Sequence, residues 1–279
     1  MALSRRQKVT IISLVFYWPT FFILAHIPVP GLVRKAGVSD KGLHFLAYLV
    51  LVFLLWFAIS GDKKVNWRRA GVWWVFFVVT GYGIVYELLQ GCVGRNCDVR
   101  DMVANLAGTL AGLILFSVFS FWPAALLVVG TVIFGITNIA RANLAELVPV
   151  TNAIFHLFAY AIFTMLWVQY MHLSFDFAQD GEPVEPFLSL KPPKPKWLMA
   201  ALAVPIGLLL TVKLFSMVLG KVLGLREVII SVVAIAAVVA ITYLIALFHK
   251  TQNPRHKTQD PRLKTQDIRP KTQDTRHKT

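Results

Sequence analysis

The stretch "ELLQGCVGRNCDVRDMVAN", Glu87–Asn105, packs three carboxylates, two arginines, a glutamine and two cysteines between two long apolar runs. The runs, 71–90 and 102–120, each approach the roughly 20 apolar residues that a helix needs to cross a bilayer. Charge of this density between such runs reads as a connection at a membrane surface. Working outward, six more apolar runs lie at 9–29, 43–60, 121–140, 153–172, 197–219 and 228–248. Backbone groups in hydrocarbon must be paired within their own segment, so each run is expected to be a helix. The fold class is therefore all-α, a polytopic transmembrane bundle of about eight helices.

Composition points the same way. The chain is 57% hydrophobic and only 15% charged, which excludes an ordinary soluble domain. Only "FWP" at 121–123 separates the fourth and fifth runs. The run after "MALSRRQK" is too long for the core of a signal peptide and shows no small-residue cleavage site, so a retained first helix is expected.

The net charge of +14 is concentrated in residues 1–8, in the loop "GDKKVNWRRA" at 61–70, and in the tail from His249. With alternating helices and the N-terminus inside, all three fall on one side, as the positive-inside rule requires. Both termini of this multi-pass membrane protein are expected in the cytoplasm. Arg34, Lys35 and Lys41 fall on the opposite side. No basic face with interleaved aromatics exists, so nucleic acid is not an expected partner.

The tail repeats itself as "HKTQDPR", "LKTQDIR" and "PKTQDTR". It has no apolar seam for a coiled coil and too little hydrophobicity to fold. Residues 249–279 are expected to be disordered, or a basic tether at an anionic membrane surface. The acidic, proline-rich stretch 173–196 reads as a mobile loop.

"HFLAY" at 44–48 returns as "HLFAY" at 156–160, 112 residues later; "GRNCDVRDMVAN" at 94–105 aligns with "GKVLGLREVIIS" at 220–231, 126 residues later. The 173–196 loop absorbs the difference. The expectation is two tandem four-helix units, 9–120 and 121–248. Lys213 then replaces Glu87 and Ser231 replaces Asn105, so the second unit is degenerate. A Glu87–Lys213 pair between the units is one expectation for the buried lysine; snorkelling toward the interface is the other.

In this topology three helix ends carry polar groups to one depth. His44 and Tyr48 share a face, continued by Asp40 if that residue is helical. Glu87 and Gln90 are three apart, and Asp101, Asn105, Gly108 and Gly112 form one stripe. The small residues of "GTLAG" offer a surface for close helix packing. An intramembrane glutamate is costly unless paired, with Arg95 and Arg100 the nearest candidates in sequence. Asp98 and Asp101 compete for the same arginines, and Asp101 could instead cap the fourth helix. One reading is a charged network that closes the bundle; the other is a ligand pocket. His44 with Glu87 or Asp101 could act as an acid–base pair, and arginines could grip a phosphate or carboxylate. No nucleophile motif and no metal-ligand spacing is evident, so neither a metal nor another cofactor is expected. Cys92 and Cys97 are either a short-loop disulfide or two free thiols.

"DKGLHFLAY" followed by "YELLQ" and "GRNCDVRDMVANLAGTLAG" resembles the VanZ-like family of bacterial membrane proteins. The matching residues are His44, Phe45, Tyr48, Glu87, Gln90, Arg95, Asp98, Asp101, Asn105 and Gly108. Leu89 stands where family members often carry histidine. The resemblance covers about residues 9–120 and implies a cell-envelope protein, the founding member being associated with low-level resistance to the glycopeptide teicoplanin. The function expected is binding of an anionic headgroup, wall precursor or glycopeptide at an outward-facing site. His44, Tyr48, Glu87, Gln90, Arg95, Asp98, Arg100, Asp101 and Asn105 would line it, and membrane lipids would be partners. The alternative is an enzyme acting on a lipid-linked phosphate or sugar, with His44, Glu87 and Asp101 as candidate catalytic groups.

Overall fold

In a computed structural model, residues 3–26, 37–92, 97–140, 144–176, 195–222 and 224–252 are described. Among these residues eight long helices form: α1 (Arg5–His26), α2 (Asp40–Ser60), α3 (Ala70–Cys92), α4 (Val99–Val118), α5 (Phe121–Ile139), α6 (Pro149–Asp176), α7 (Pro195–Val218) and α8 (Leu225–Gln252). A single helical turn, Leu144–Leu147, precedes α6. Among the described residues there is no strand, only an isolated bridge between Val38 and Ala140. The seven helices α2–α8 are long and apolar enough to span a membrane. The protein is a polytopic helical bundle.

Burial is inverted relative to a soluble protein. Phe16, Trp74, Phe77, Leu88, Val103 and Phe158 are exposed on the perimeter, whereas His44, Glu87, Asp101, Asn105, His156 and Lys213 are buried. A lipid environment explains both halves: it solvates the apolar perimeter, and it drives polar groups to find partners inside the bundle.

Helix ends differ from the sequence expectation for local reasons. The Ser39 hydroxyl accepts from Gly42 N at 3.3 Å, so α2 starts at Asp40, within the polar residues. Asp98, rather than Asp101, caps α4: its Oδ1 accepts from Arg100 N at 2.9 Å. Asp101 thereby moves into the first turn and is buried. Helix α6 continues to Asp176 and α8 to Gln252. Most of the expected loop at 173–196, and the tail beyond Gln252, lie outside the described residues.

Packing follows a repeated pattern. In the first four helices α2 is central, against α1 and α4, with α3 against α4; in the last four, α6 packs against α5 and α8, with α7 against α8. Helix α2 also packs against α5 and joins the two groups. The α2–α4 contact is the most extensive, as the small residues of α4 predict. A Cβ at Gly108 would overlap the carbonyl oxygen of Phe45, and one at Gly112 would overlap Val52 Cγ1. This approach sets the depth at which His44 meets α4.

The basic end is organised around Asp62. Its Oδ2 pairs with Arg6 at 2.8 Å and its Oδ1 accepts from Phe121 N at 3.3 Å, linking α1, the α2–α3 loop and α5. Trp56 Nε1 donates to Lys63 O at 2.9 Å, and Val65 N to Phe116 O at 2.9 Å.

Candidate functional site

The opposite end holds the polar cluster. His44 Nδ1 lies 3.0 Å from Asn105 Oδ1 and 3.3 Å from Glu87 Oε1. Asn105 Nδ2 donates to the same glutamate oxygen at 3.5 Å. A histidine of α2, a glutamate of α3 and an asparagine of α4 thus form one buried triad. Glu87 is 0% exposed, and its second oxygen accepts no hydrogen bond from any described residue. Gln90, one turn further along α3, is also buried.

A charged layer lies outside the triad. Lys41 Nζ reaches Asp98 at 3.2 Å and Asp101 at 3.5 Å. His44 Nε2 lies 3.8 Å from Asp40 Oδ1. The Asp98 carboxyl is held below its ordinary range, chiefly by the Arg100 backbone N–H and further by Lys41. Arginine was the cation expected here; among the described residues lysine supplies it. Arg100 contributes its backbone amide while its side chain is exposed, and Arg95 lies outside the described residues. Lys41 became available because the Ser39 cap made residues 40–42 helical, which sequence reading left open.

Below the triad lies an aromatic layer. Tyr48 and Tyr86 are fully buried, with ring centroids 6.4 Å apart; Phe21 of α1 stacks on Tyr86 at 5.2 Å and meets Tyr48 edge-on at 5.9 Å. The Tyr48 hydroxyl makes no hydrogen bond with a described residue. Tyr86 was not singled out in the sequence, although its position one residue before Glu87 is a usable signal. Tyr17 Oη donates to Ala47 O at 2.9 Å and fixes α1 against α2. Leu89 is 42% exposed on the outer face of α3, so a histidine there would point away from the triad. Cys92 and Cys97 are free, exposed thiols.

The second group of helices carries a counterpart. His156 Nδ1 lies 3.4 Å from Ser231 Oγ, and its Nε2 lies 3.7 Å from Glu227 Oε2. Glu227 also takes a hydrogen bond from Asn152 and an ion pair from Lys213. The expected Glu87–Lys213 pair does not form: each residue finds its partner within its own group of helices. Glu227 stands at the position aligned with Asp101, and Lys213 is the nearest buried cation to it.

The fold and this cluster define a polytopic membrane protein with a buried histidine–carboxylate–amide site. Residues 5–120 match the VanZ/LLP1 family model, so this part of the chain is similar to VanZ-like proteins. No curated protein and no solved structure matches the chain.

Proposed function

We propose that this VanZ-like protein is a binding or accessory component of the bacterial cell envelope. Its site, where α2, α3 and α4 meet, would take an anionic headgroup, a wall precursor or a glycopeptide such as teicoplanin. The observation that carries this reading is the buried His44–Glu87–Asn105 triad beneath a mouth bearing Lys41. Ionisable groups at membrane depth are expensive to keep and tend to serve a ligand or a pathway. Lys41, with Arg95 and Arg100, would meet the anion, and His44, Glu87 and Asp101 would orient it. With both termini in the cytoplasm this mouth faces outward, toward lipid-linked precursors.

A second reading is an enzyme acting on a lipid-linked phosphate or sugar. The 3.3 Å approach of His44 Nδ1 to Glu87 favours it, because that distance suits proton transfer within an acid–base pair.

The chain is further read as two tandem four-helix units, 9–120 and 121–248. The repeated packing and the matched His44–Asn105 and His156–Ser231 contacts support this reading. The second unit, its carboxylate neutralised by Lys213, would brace the first.

The test is teicoplanin susceptibility and the profile of membrane lipid intermediates in cells expressing wild type, Glu87→Gln, Arg95→Ala or Lys41→Ala at matched levels. A phenotype lost in all three supports a working site. A phenotype unchanged in folded variants rejects it in favour of a structural cap. His44→Gln separates the two readings: an enzyme loses turnover while binding survives.

A further inference from the structure

The loop between α2 and α3 carries Lys63, Lys64, Arg68 and Arg69 within a short stretch. All four are exposed, and none makes an ion pair with a described residue. The neighbouring carboxylate is engaged elsewhere: Asp62 Oδ2 pairs with Arg6 at 2.8 Å, and its Oδ1 accepts from Phe121 N at 3.3 Å. With Trp67 the four cations line one open cavity of about 530 Å³. Like charges gathered around one space repel one another, and an anion within it would relieve that repulsion.

A basic loop that served topology alone would need charge and no fixed shape. This loop is held in shape along its length. Lys63 O accepts from Trp56 Nε1 at 2.9 Å, and Val65, 6% exposed, is plugged into the core with its N–H donating to Phe116 O at 2.9 Å. Asn66 Oδ1 accepts from Arg68 N at 3.1 Å, and Asn66 O from Arg69 N at 2.9 Å. Trp67 O accepts from Trp73 Nε1 at 3.0 Å. Helices α2, α4 and α3 thus fix the backbone that presents the cations. Ordering this backbone costs a ligand little, because folding has already done it.

We propose that the α2–α3 loop binds the phosphodiester headgroup of an anionic phospholipid, with Lys63, Lys64, Arg68 and Arg69 as its counter-ions. The arginine forks suit paired phosphate oxygens, and the lysines supply point charges. The depth selects a lipid. Trp73 and Trp74, in the first turn of α3, are 44% and 70% exposed, and tryptophans at the end of a spanning helix sit at headgroup level. Trp73 holds the loop directly, so the cavity opens at that level. A zwitterionic lipid brings its own ammonium, which four unpaired cations disfavour. The site lies at the end of the bundle opposite the His44 mouth and stands whether or not that mouth takes a ligand.

The experiment is native mass spectrometry of the purified full-length protein in detergent, titrated with phosphatidylglycerol or phosphatidylcholine. Wild type should retain phosphatidylglycerol saturably and phosphatidylcholine poorly. Each cation removed should weaken phosphatidylglycerol about fivefold, so Lys64→Gln/Arg68→Gln should lose about 25-fold. Both side chains are exposed, and an unchanged melting temperature in the absence of lipid shows that the variant is folded. Lys196→Gln, the same loss of charge at an exposed position in the first turn of α7, should bind as wild type does. Equal retention of the two lipids by wild type overturns the proposal, as does undiminished phosphatidylglycerol binding in the double variant. An equal loss in Lys196→Gln also overturns it, because diffuse attraction then suffices. Soluble glycerol phosphate separates the two sources of the same chemistry. Lipid that stays bound at equimolar glycerol phosphate supports the headgroup, and lipid displaced by it overturns the lipid in favour of a free phosphate ester.

Discussion

His44 and Asn105, 61 residues apart, meet across the α2–α4 interface through a 3.0 Å contact between Nδ1 and Oδ1. The amide acts as a relay: its oxygen faces the imidazole Nδ1 while its nitrogen donates to Glu87 Oε1. Asn105→Leu keeps the volume and removes both contacts. It should cost about 1–3 kcal/mol, the usual penalty for stranding buried polar groups. Asn105→Asp should also destabilise, because a second carboxylate would then face Glu87. Denaturant unfolding in detergent, followed by tryptophan fluorescence, measures both.

That relay depends on how closely two helices approach. At Gly108 an added Cβ meets the backbone of Phe45, which cannot rotate away, whereas at Gly112 it meets the Val52 side chain, which has other rotamers. Gly108→Ala should therefore destabilise by about 1–3 kcal/mol, as overpacking usually does, and Gly112→Ala by less. The order of the two melting temperatures checks the argument. A Gly108→Ala protein as stable as wild type would show that the interface is looser than the geometry indicates.

The Lys213–Glu227 pair is predicted to behave as a buried salt bridge. Removing one partner leaves an uncompensated charge and should cost about 3–5 kcal/mol, whereas replacing both with neutral groups should cost far less. Lys213→Met, Glu227→Gln and the double variant form a cycle, read by thermal unfolding in detergent. Additive losses would mean that the two side chains do not depend on each other.

The seven helices α2–α8 were legible because bilayer-length apolar runs have few other solutions, and the α2–α4 contact because small residues recur on one face of α4. The cluster was legible in outline: His44, Glu87, Asp101 and Asn105 share a depth that helix alternation alone assigns. Its pairings were not. Sequence proximity favoured Arg95 and Arg100 as partners of the carboxylates; among the described residues the Ser39 cap carries Lys41 across to Asp98 and Asp101, and Arg95 lies outside them. For Lys213 the expectations were Glu87 or snorkelling to the interface; the packing of α7 on α8 brings it to Glu227 instead.

Asp98 sets a pH dependence with a definite sign. Its folded pKa is depressed, first by the Arg100 amide at the α4 cap and then by Lys41. Its contribution is therefore present above the unfolded value of about 4 and is lost as pH falls through the lower folded value. Asp98→Ala should be less stable than wild type near neutral pH, and the two should converge in strong acid. The exposed position makes the difference small. Melting temperatures of both proteins across acid pH test it. A gap that widens toward low pH contradicts the assignment.

Orientation can be read from the thiols. Cys92 ends α3 and Cys97 lies two residues before α4, both exposed and at the end of the bundle that carries His44 and Asp101. The basic 61–70 loop lies at the other end, where Asp62 ties it to α1 and α5. If the positive-inside rule governs insertion, a membrane-impermeant maleimide added to intact cells lacking an outer membrane should label both cysteines. Cys92→Ser and Cys97→Ser should each halve the signal. A cysteine placed at Asn66 should stay unlabelled until the cells are opened. Labelling of the Asn66 site in intact cells would invert the topology. The His44–Glu87 mouth would then face the cytoplasm, and the extracellular wall precursors and glycopeptides would lose access to it.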